Sequence, residues 1–277
     1  MKTRIRRFLA ALQLSPGKTF RALWRLPEFF LAYYRYKNLA GVSEAWPLAA
    51  NYPFLLDKAD SGGTASGHYF HQDLLVAQRI FVRSPRVHFD VGSRIDGFVA
   101  HVAAFRTIEY FDIRPVVGGA RNLSFRLGNL IEPESLPARS CDSLSCLHVI
   151  EHVGLGRYGD PLVPDGWRLA VRSLARMLQH EGLLYLSVPI GRQRIEFNAH
   201  RVFSPSTIVQ AAAESGLKLE HFAWVDDEGA LHDPAVGAVE IPVGMDGFVA
   251  GCGIFEFRLA QAVASAEPET QANPSAP

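Results

Sequence analysis

Four residues in one part of the chain have types and spacings suited to proton or metal chemistry. His148 and His152 stand four apart with Glu151 between them, and His200 follows after the next apolar run. On a helix, residues three and four apart share a face. An imidazole with its ordinary pKa of about 6.5 can take a proton from a hydroxyl or amine nucleophile near neutral pH, and Glu151 could orient it. The same four residues could hold a divalent metal. Imidazole nitrogens suit zinc, iron, manganese or nickel better than the hard magnesium ion. Such an ion would bind two vicinal hydroxyls and lower the pKa of one. The plainer alternative has His152 bracing its loop and His148 hydrogen-bonded to backbone or substrate.

A second group points to a ligand. VHFDVGSRIDG (87–97) reads as a buried strand ending at Asp90, a glycine turn with Gly92, a capping Ser93, then a helix. In a parallel α/β sheet, nucleotide-like ligands lie against that corner, where helix N–H groups point at them. Asp112 ends the next apolar run, TIEYFD (107–112), about twenty residues on, where an acidic side chain grips a ribose diol.

The elements that must position these residues alternate. Strands are expected at 87–91, 107–112, 123–127, 142–147, 183–188, 217–225 and 252–259, with Pro189 stopping the fifth. Helices are expected at 73–81, 94–105, 166–178 and 205–215. This pattern predicts a doubly wound, mainly parallel seven-stranded α/β sheet, and the missing helix between the last two strands allows that pair to be antiparallel. Residues 1–60 read as a helical N-terminal extension, 61–261 as the α/β domain, and 262–277, rich in Ala, Pro, Glu and Ser, as a disordered tail. His68 and His71, in SGGTASGHYFHQD (61–73), fall in the linker ahead of the helix and are given no role beyond a lid.

DVGSRIDG (90–97) resembles the first motif of class I S-adenosylmethionine-dependent methyltransferases, with Arg94 where that family has a second glycine. RLGNL (126–130) places Asn129 where the family has an acidic residue near the adenine, and an amide can serve there too. HVIEHV (148–153) resembles the motif after the fourth strand of the small-molecule enzymes. The longer run EHVGLGRYGDP (151–161), with SRIDGFVAHV (93–102), DIRP (112–115) and FNAHRVFSP (197–205), resembles an uncharacterised family known as domain of unknown function 268, over residues 60–230. The resemblance implies a Rossmann-like methyltransferase fold. It implies S-adenosyl-L-methionine as cofactor, held by Asp90, Gly92, Ser93, Asp112 and Asn129. His148, Glu151, His152 and His200 would then work on the acceptor. A Glu/Glu/His set with a distant His binds a metal in the small-RNA 3′-end 2′-O-methyltransferases, and here His148 replaces the first glutamate.

Composition narrows the partners. Lys plus Arg and Asp plus Glu are 28 each, so the net charge is zero and a broad nucleic-acid surface is not favoured. A small-molecule or saccharide-like acceptor is the expectation, with Arg192 and Arg194 placed to meet a phosphate or carboxylate on it. Cys141, Cys146 and Cys252 form no CxxC pair, which with the lack of a signal-like start suggests a cytoplasmic protein. The basic, amphipathic start, with Arg4, Arg6 and Arg7 before Phe8, Leu9 and Leu12, would allow peripheral membrane contact. Two other readings stand beside methyl transfer. One is a non-catalytic module on the same fold, and the other is a metal-dependent enzyme acting on cell-surface polysaccharide precursors.

Overall fold

Glycine and proline cut the chain into short runs whose apolar spacing switches between two and three to four residues. The computed structural model describes residues 15–39, 46, 48–50, 53–235 and 239–260. The chain divides into two compact units, Met1–Thr64 and Ala65–Pro277. The basic stretch over 1–14 and the tail over 262–277 lie outside the described residues.

The first unit holds α1 (Pro16–Lys37). Proline opens the helix, and Arg35 and Lys37 in its last turn complement the negative end of the dipole. Among the described residues no helix is long and apolar enough to cross a membrane.

The second unit opens with α2 (His68–Arg83), which begins five residues earlier than its spacing suggests. His68 and His71 are therefore helical residues of the domain rather than linker. The strand β1 (His88–Val91) follows, then a single π-type turn over Ile95–Val99 and the short α3 (Ala100–Ala103). One regular helix over 94–105 is not formed. Gly97 takes a non-helical φ of −119° and ψ of −106°, and a Cβ there would lie 2.5 Å from the Asp73 carboxylate on α2. Close packing of α2 against this turn thus requires the glycine and bends the backbone.

The remaining elements are β2 (Ile108–Asp112), β3 (Leu123–Leu127), β4 (Cys141–Leu147), α4 (Gly166–Met177), β5 (Leu178–Ile190), the hairpin β6 (Arg194–Glu196) and β7 (His200–Val202), α5 (Pro205–Glu214), β8 (Leu217–Val225), β9 (Leu231–His232) and β10 (Gly251–Leu259). Pro189 does not end β5, which continues to Ile190 paired with β10. The main sheet runs β3-β2-β1-β4-β5-β10-β8-β9. The pairs β2–β3, β1–β2, β1–β4 and β4–β5 are parallel, and β10 is antiparallel to both β5 and β8. Leaving out the hairpin and the two-residue edge strand β9, seven strands lie in the order 3-2-1-4-5-7-6 with the last in sequence reversed. This is the sheet of the Rossmann-like methyltransferase fold.

Period-two alternation sends neighbouring side chains to opposite faces. Phe111, Phe255 and Phe257 join the core beneath α4 and α5, whereas Ile108, Tyr110, Cys252 and Ile254 join the core beneath α2 and α3. Helix α4 buries Trp167, Ala170, Val171 and Leu174, the i, i+3, i+4, i+7 stripe of a half-buried helix. The parallel strands all end at one edge, and the order reverses between β1 and β4. A ligand crevice forms at such a reversal.

Candidate functional site

The glycine corner is built from beneath. Asp90 is fully buried. Its carboxylate accepts from Ser93 N at 3.0 Å, Ser93 Oγ at 2.7 Å and Ser145 Oγ. Ser93 Oγ in turn accepts from Leu147 N at 3.0 Å, so the turn is tied to the end of β4. Burial pushes the Asp90 carboxyl up to about 7 despite these donors. Behind it, burial with help from Arg106 pushes His88 down to about 3, and His88 Nε2 lies 3.2 Å from Ser145 Oγ. Asp90 and Ser93, expected among the cofactor contacts, do not line the cleft. Their polar atoms are consumed in holding the turn.

Gly92 does face the cleft. Its φ of +74° is in the left-handed region, its N–H donates to Phe111 O at 2.8 Å, and a Cβ would lie 2.9 Å from Val149 Cγ1. The cleft occupies about 600 Å³, counting space open to solvent, between Gly92, Asp112, Asn129, His148, His152 and Tyr158. Arg94 is turned away from it: Nε pairs with Asp96 Oδ1 at 3.2 Å and the guanidinium lies 4.9 Å over the Tyr69 ring.

Asp112 sits where a ribose would be held, but its acceptor capacity is full. Oδ1 accepts from Arg114 N at 2.8 Å and Arg114 Nε at 3.1 Å. Oδ2 accepts from Arg114 Nη2 at 3.1 Å and Tyr110 Oη at 2.9 Å. A carboxylate has about four lone-pair sites, and these are four bonds. Burial alone would raise the Asp112 carboxyl, but these donors hold it below its ordinary range. The Arg114 guanidinium is covered in turn by the Tyr158 ring at 4.3 Å. Tyr158 belongs to the glycine loop over 154–160, wrapped around Asp160, whose carboxylate accepts from Gly154 N at 2.7 Å and Tyr158 N at 3.2 Å. Asn129 lines the cleft, yet its amide bonds Glu132 Oε1 and Ile131 N at 3.1 Å each, so it shapes the loop beside the cleft. Arg194 is spent on Glu196 Oε1 at 2.9 Å and on the Val249 carbonyl at 3.0 Å, and does not reach the cleft.

His148 and His152 line the same cleft. His148 follows β4 with a φ of +55°, a conformation a non-glycine residue adopts only when its surroundings hold it. Its N–H meets Ser187 O at 3.0 Å, and Nδ1 lies 2.8 Å from Glu151 Oε1. Burial disfavours a charged His148, but Cys252 and Glu151 beside it outweigh that and hold its pKa up. Glu151 is buried, and its Oε2 has no hydrogen-bond partner among the described residues. His152 Nδ1 lies 2.6 Å from Ala199 O and 3.3 Å from Arg157 Nη1. A carbonyl cannot donate, so the shorter contact puts the hydrogen on Nδ1 and leaves Nε2 bare. That nitrogen is 3.7 Å from Glu151 Oε1. Burial holds His152 below the ordinary histidine pKa, hence neutral at pH 7. His200, on the β6–β7 hairpin, is edge-on to His152 at 6.5 Å between ring centres and does not line the cleft. Arg201, buried beside it, donates to Val153 O at 2.7 Å and Pro164 O at 2.9 Å, which fixes the hairpin to the histidine loop.

The expected set of His148, Glu151, His152 and His200 is therefore partly assembled, with His148 and His152 flanking one buried carboxylate. Among the described residues, the metal-ligating groups that cluster within 4.8 Å of one another are instead His68, His148 and Cys252. His68 lies outside the motifs, and its position in the first turn of α2 brings it there.

No curated protein matches the chain. The family model described as "Caenorhabditis protein of unknown function, DUF268" matches residues 126–218. Similar solved structures include the cyclase SpnF, 13% identical, covering 69% of this chain and 81% of that one at a TM-score of 0.49. The N-methyltransferase NodS from Bradyrhizobium japonicum, in complex with S-adenosyl-L-homocysteine, is 14% identical, with coverage of 70% and 88% and a TM-score of 0.47. The 1,6-didemethyltoxoflavin-N1-methyltransferase of Burkholderia thailandensis is 12% identical, with coverage of 89% and 92% and a TM-score of 0.49. At these similarities the strand order, rather than the overlap, defines the fold. Residues 126–218 thus match the DUF268 family model, and they lie within a doubly wound, mainly parallel, Rossmann-like sheet.

Proposed function

We propose that this chain transfers a methyl group from S-adenosylmethionine to a hydroxyl or amine of a small-molecule or saccharide-like acceptor. The observation that carries the reading is one cleft, at the strand-order reversal, lined by both the Asp112 carboxylate and a neutral, bare-Nε2 histidine, His152. The residues fit the cofactor in two ways. Gly92 lets the backbone come close without a side chain, and Asp112 stands at the end of β2 where a ribose diol is gripped. The bound cofactor would supply a methyl on a sulfonium, activated enough that alignment and one base suffice.

The chain's own residues do the rest. Asp112 would hold the two ribose hydroxyls, one on each oxygen, once Arg114 Nε and Nη2 have left it. His152 Nε2 takes the acceptor's proton, and the imidazolium formed is stabilised by Glu151. Asp90 and Ser93 hold the turn rigid. The loop carrying Tyr158 lines the cleft beside Arg114 and would have to move with that side chain when a ligand takes its place.

The fully bonded Asp112 also favours a second reading, a module that keeps the fold without the reaction. Calorimetric titration with S-adenosylhomocysteine separates the two. Methyl transfer requires saturable binding that weakens at least tenfold in Asp112→Ala. Absence of binding at millimolar ligand supports the non-catalytic module.

A further inference from the structure

Three residues far apart in the chain meet at the corner of the sheet beside the cleft. His68 is the first residue of α2, His148 follows β4, and Cys252 is the second residue of β10. One nitrogen or sulfur of each lies within 4.8 Å of the other two. The hydrogen-bond pattern shows which nitrogens face inward. His68 Nε2 is 2.7 Å from the Ala250 carbonyl, so that nitrogen carries the hydrogen and Nδ1 holds a lone pair. His148 Nδ1 is 2.8 Å from Glu151 Oε1, which leaves Nε2. His148 Nε2 is buried with no hydrogen-bond partner, on a side chain 6% exposed. The two rings are parallel, with centres 5.3 Å apart. Cys252 is fully buried, and its thiol donates weakly to Gln72 Oε1 and to Gly253 O, each at 3.8 Å.

Two imidazoles and a thiol converge here with only a weak S–H donor between them, and His148 Nε2 is left without a hydrogen-bond partner in a buried setting. A cation resolves it. We propose that His68, His148 and Cys252 bind a zinc-class transition metal, with Glu151 and the Ala250 carbonyl orienting the two imidazoles. A ligating histidine gives its other N–H to a carboxylate or a backbone carbonyl, and both histidines here do so. Two nitrogens and a thiolate exclude Mg²⁺ and Ca²⁺, which take oxygen ligands, and match zinc sites that keep a fourth position open. Charge agrees as well. A divalent ion, the Cys252 thiolate and the Glu151 carboxylate sum to zero, which removes the cost of a buried carboxylate with one unpaired oxygen. On metal binding the Cys252 thiol proton and the proton on His148 Nε2 leave to solvent, and the two histidines coordinate as neutral rings.

This set shares only His148 with the four residues that sequence spacing suggests. His152 is committed to Ala199, His200 stands off, and Glu151 acts through His148 rather than as a ligand. The inference does not depend on the methyl-transfer reading.

The test uses the full chain, stripped by a chelator and titrated with Co²⁺. One equivalent should bind with a thiolate-to-cobalt charge-transfer band and the visible absorption of tetrahedral cobalt, and Zn²⁺ should displace it. Cys252→Ser should lose the charge-transfer band. His68→Ala and Glu151→Gln should bind about 10–100-fold more weakly, and His200→Ala should bind as the wild type does. Circular dichroism melts confirm that each variant is folded. Elemental analysis of the unstripped wild type gives a readout independent of any variant and should find about one metal ion per chain. No tetrahedral cobalt spectrum from the wild type would overturn the proposal. So would a charge-transfer band that survives in folded Cys252→Ser, or binding lost in His200→Ala.

Discussion

Removing the Arg114 side chain should tighten cofactor binding rather than weaken it. Asp112 offers two lone pairs on each oxygen, and one on each is held by Arg114 Nε or Nη2 at 3.1 Å. The other two belong to the Arg114 backbone N–H and to Tyr110, and remain after Arg114→Ala. Substitution thus frees one acceptor site per oxygen, which is what two ribose hydroxyls need. Arg114 is 54% exposed, so its pairing with Asp112 is screened and worth about 0.2–1 kcal/mol. Its stacking on Tyr158 at 4.3 Å adds about 0.5–1 kcal/mol. A ligand that must displace both loses roughly 0.7–2 kcal/mol, about 3–30-fold in affinity. Calorimetry with S-adenosylhomocysteine on wild type, Arg114→Ala and Tyr158→Ala measures this directly. Arg114→Ala should gain most of that factor and Tyr158→Ala part of it. An unchanged or weaker dissociation constant for Arg114→Ala would refute the reasoning, because Arg114 would then be a ligand contact and not an occupant of its site.

Other outcomes follow from the same geometry. His152→Gln should lower the methyl-transfer rate by about 10²–10⁴ with little change in cofactor affinity, as expected of a positioned base. Because burial depresses the His152 pKa, wild-type activity should be retained as pH falls to about 6.5 and be lost below it; a loss centred above pH 7 would remove His152 from that role. Gly92→Ala places a Cβ 2.9 Å from Val149 Cγ1 at a positive φ, so it should cost about 1–3 kcal/mol in urea unfolding, with partial recovery in Gly92→Ala/Val149→Ala. Asp90, raised to about 7 in the fold from 3.8, binds its proton more tightly folded than unfolded. Its contribution is present below pH 4 and lost as pH rises towards 7. The stability advantage of wild type over Asp90→Asn should therefore shrink between pH 4 and 7, while the opposing His88 contribution is common to both; a constant difference would count against a raised Asp90.

Much of the architecture is legible in the linear pattern, because period-two and helical spacings alternate cleanly from Val87 to Leu259. Gly92 and Asp112 announce themselves through local chemistry, one at a strand-to-helix corner and the other at a strand end. The rest depends on neighbours that no local pattern reveals. Asp90 looks like a ligand contact until β2 and β4 close over it on both sides and its oxygens turn to Ser93 and Ser145. Arg114 sits two residues after Asp112 and could have been suspected of pairing with it, since i and i+2 at a strand end face the same way. His68 could not have been placed with His148 and Cys252. They are brought together by α2 packing on the sheet and by β10 inserting antiparallel between β5 and β8. The early start of α2 is not legible either, since GHYFHQ carries no N-cap side chain and reads as loop.

A crystal structure of the full chain with S-adenosylhomocysteine is the most direct test of the central claim. It should show the ribose hydroxyls on Asp112, the Arg114 side chain displaced from that carboxylate, and His152 Nε2 facing the cofactor sulfur. A ligand seated elsewhere with the Arg114–Asp112 pair intact, or a cleft that stays empty at saturating ligand, would contradict it.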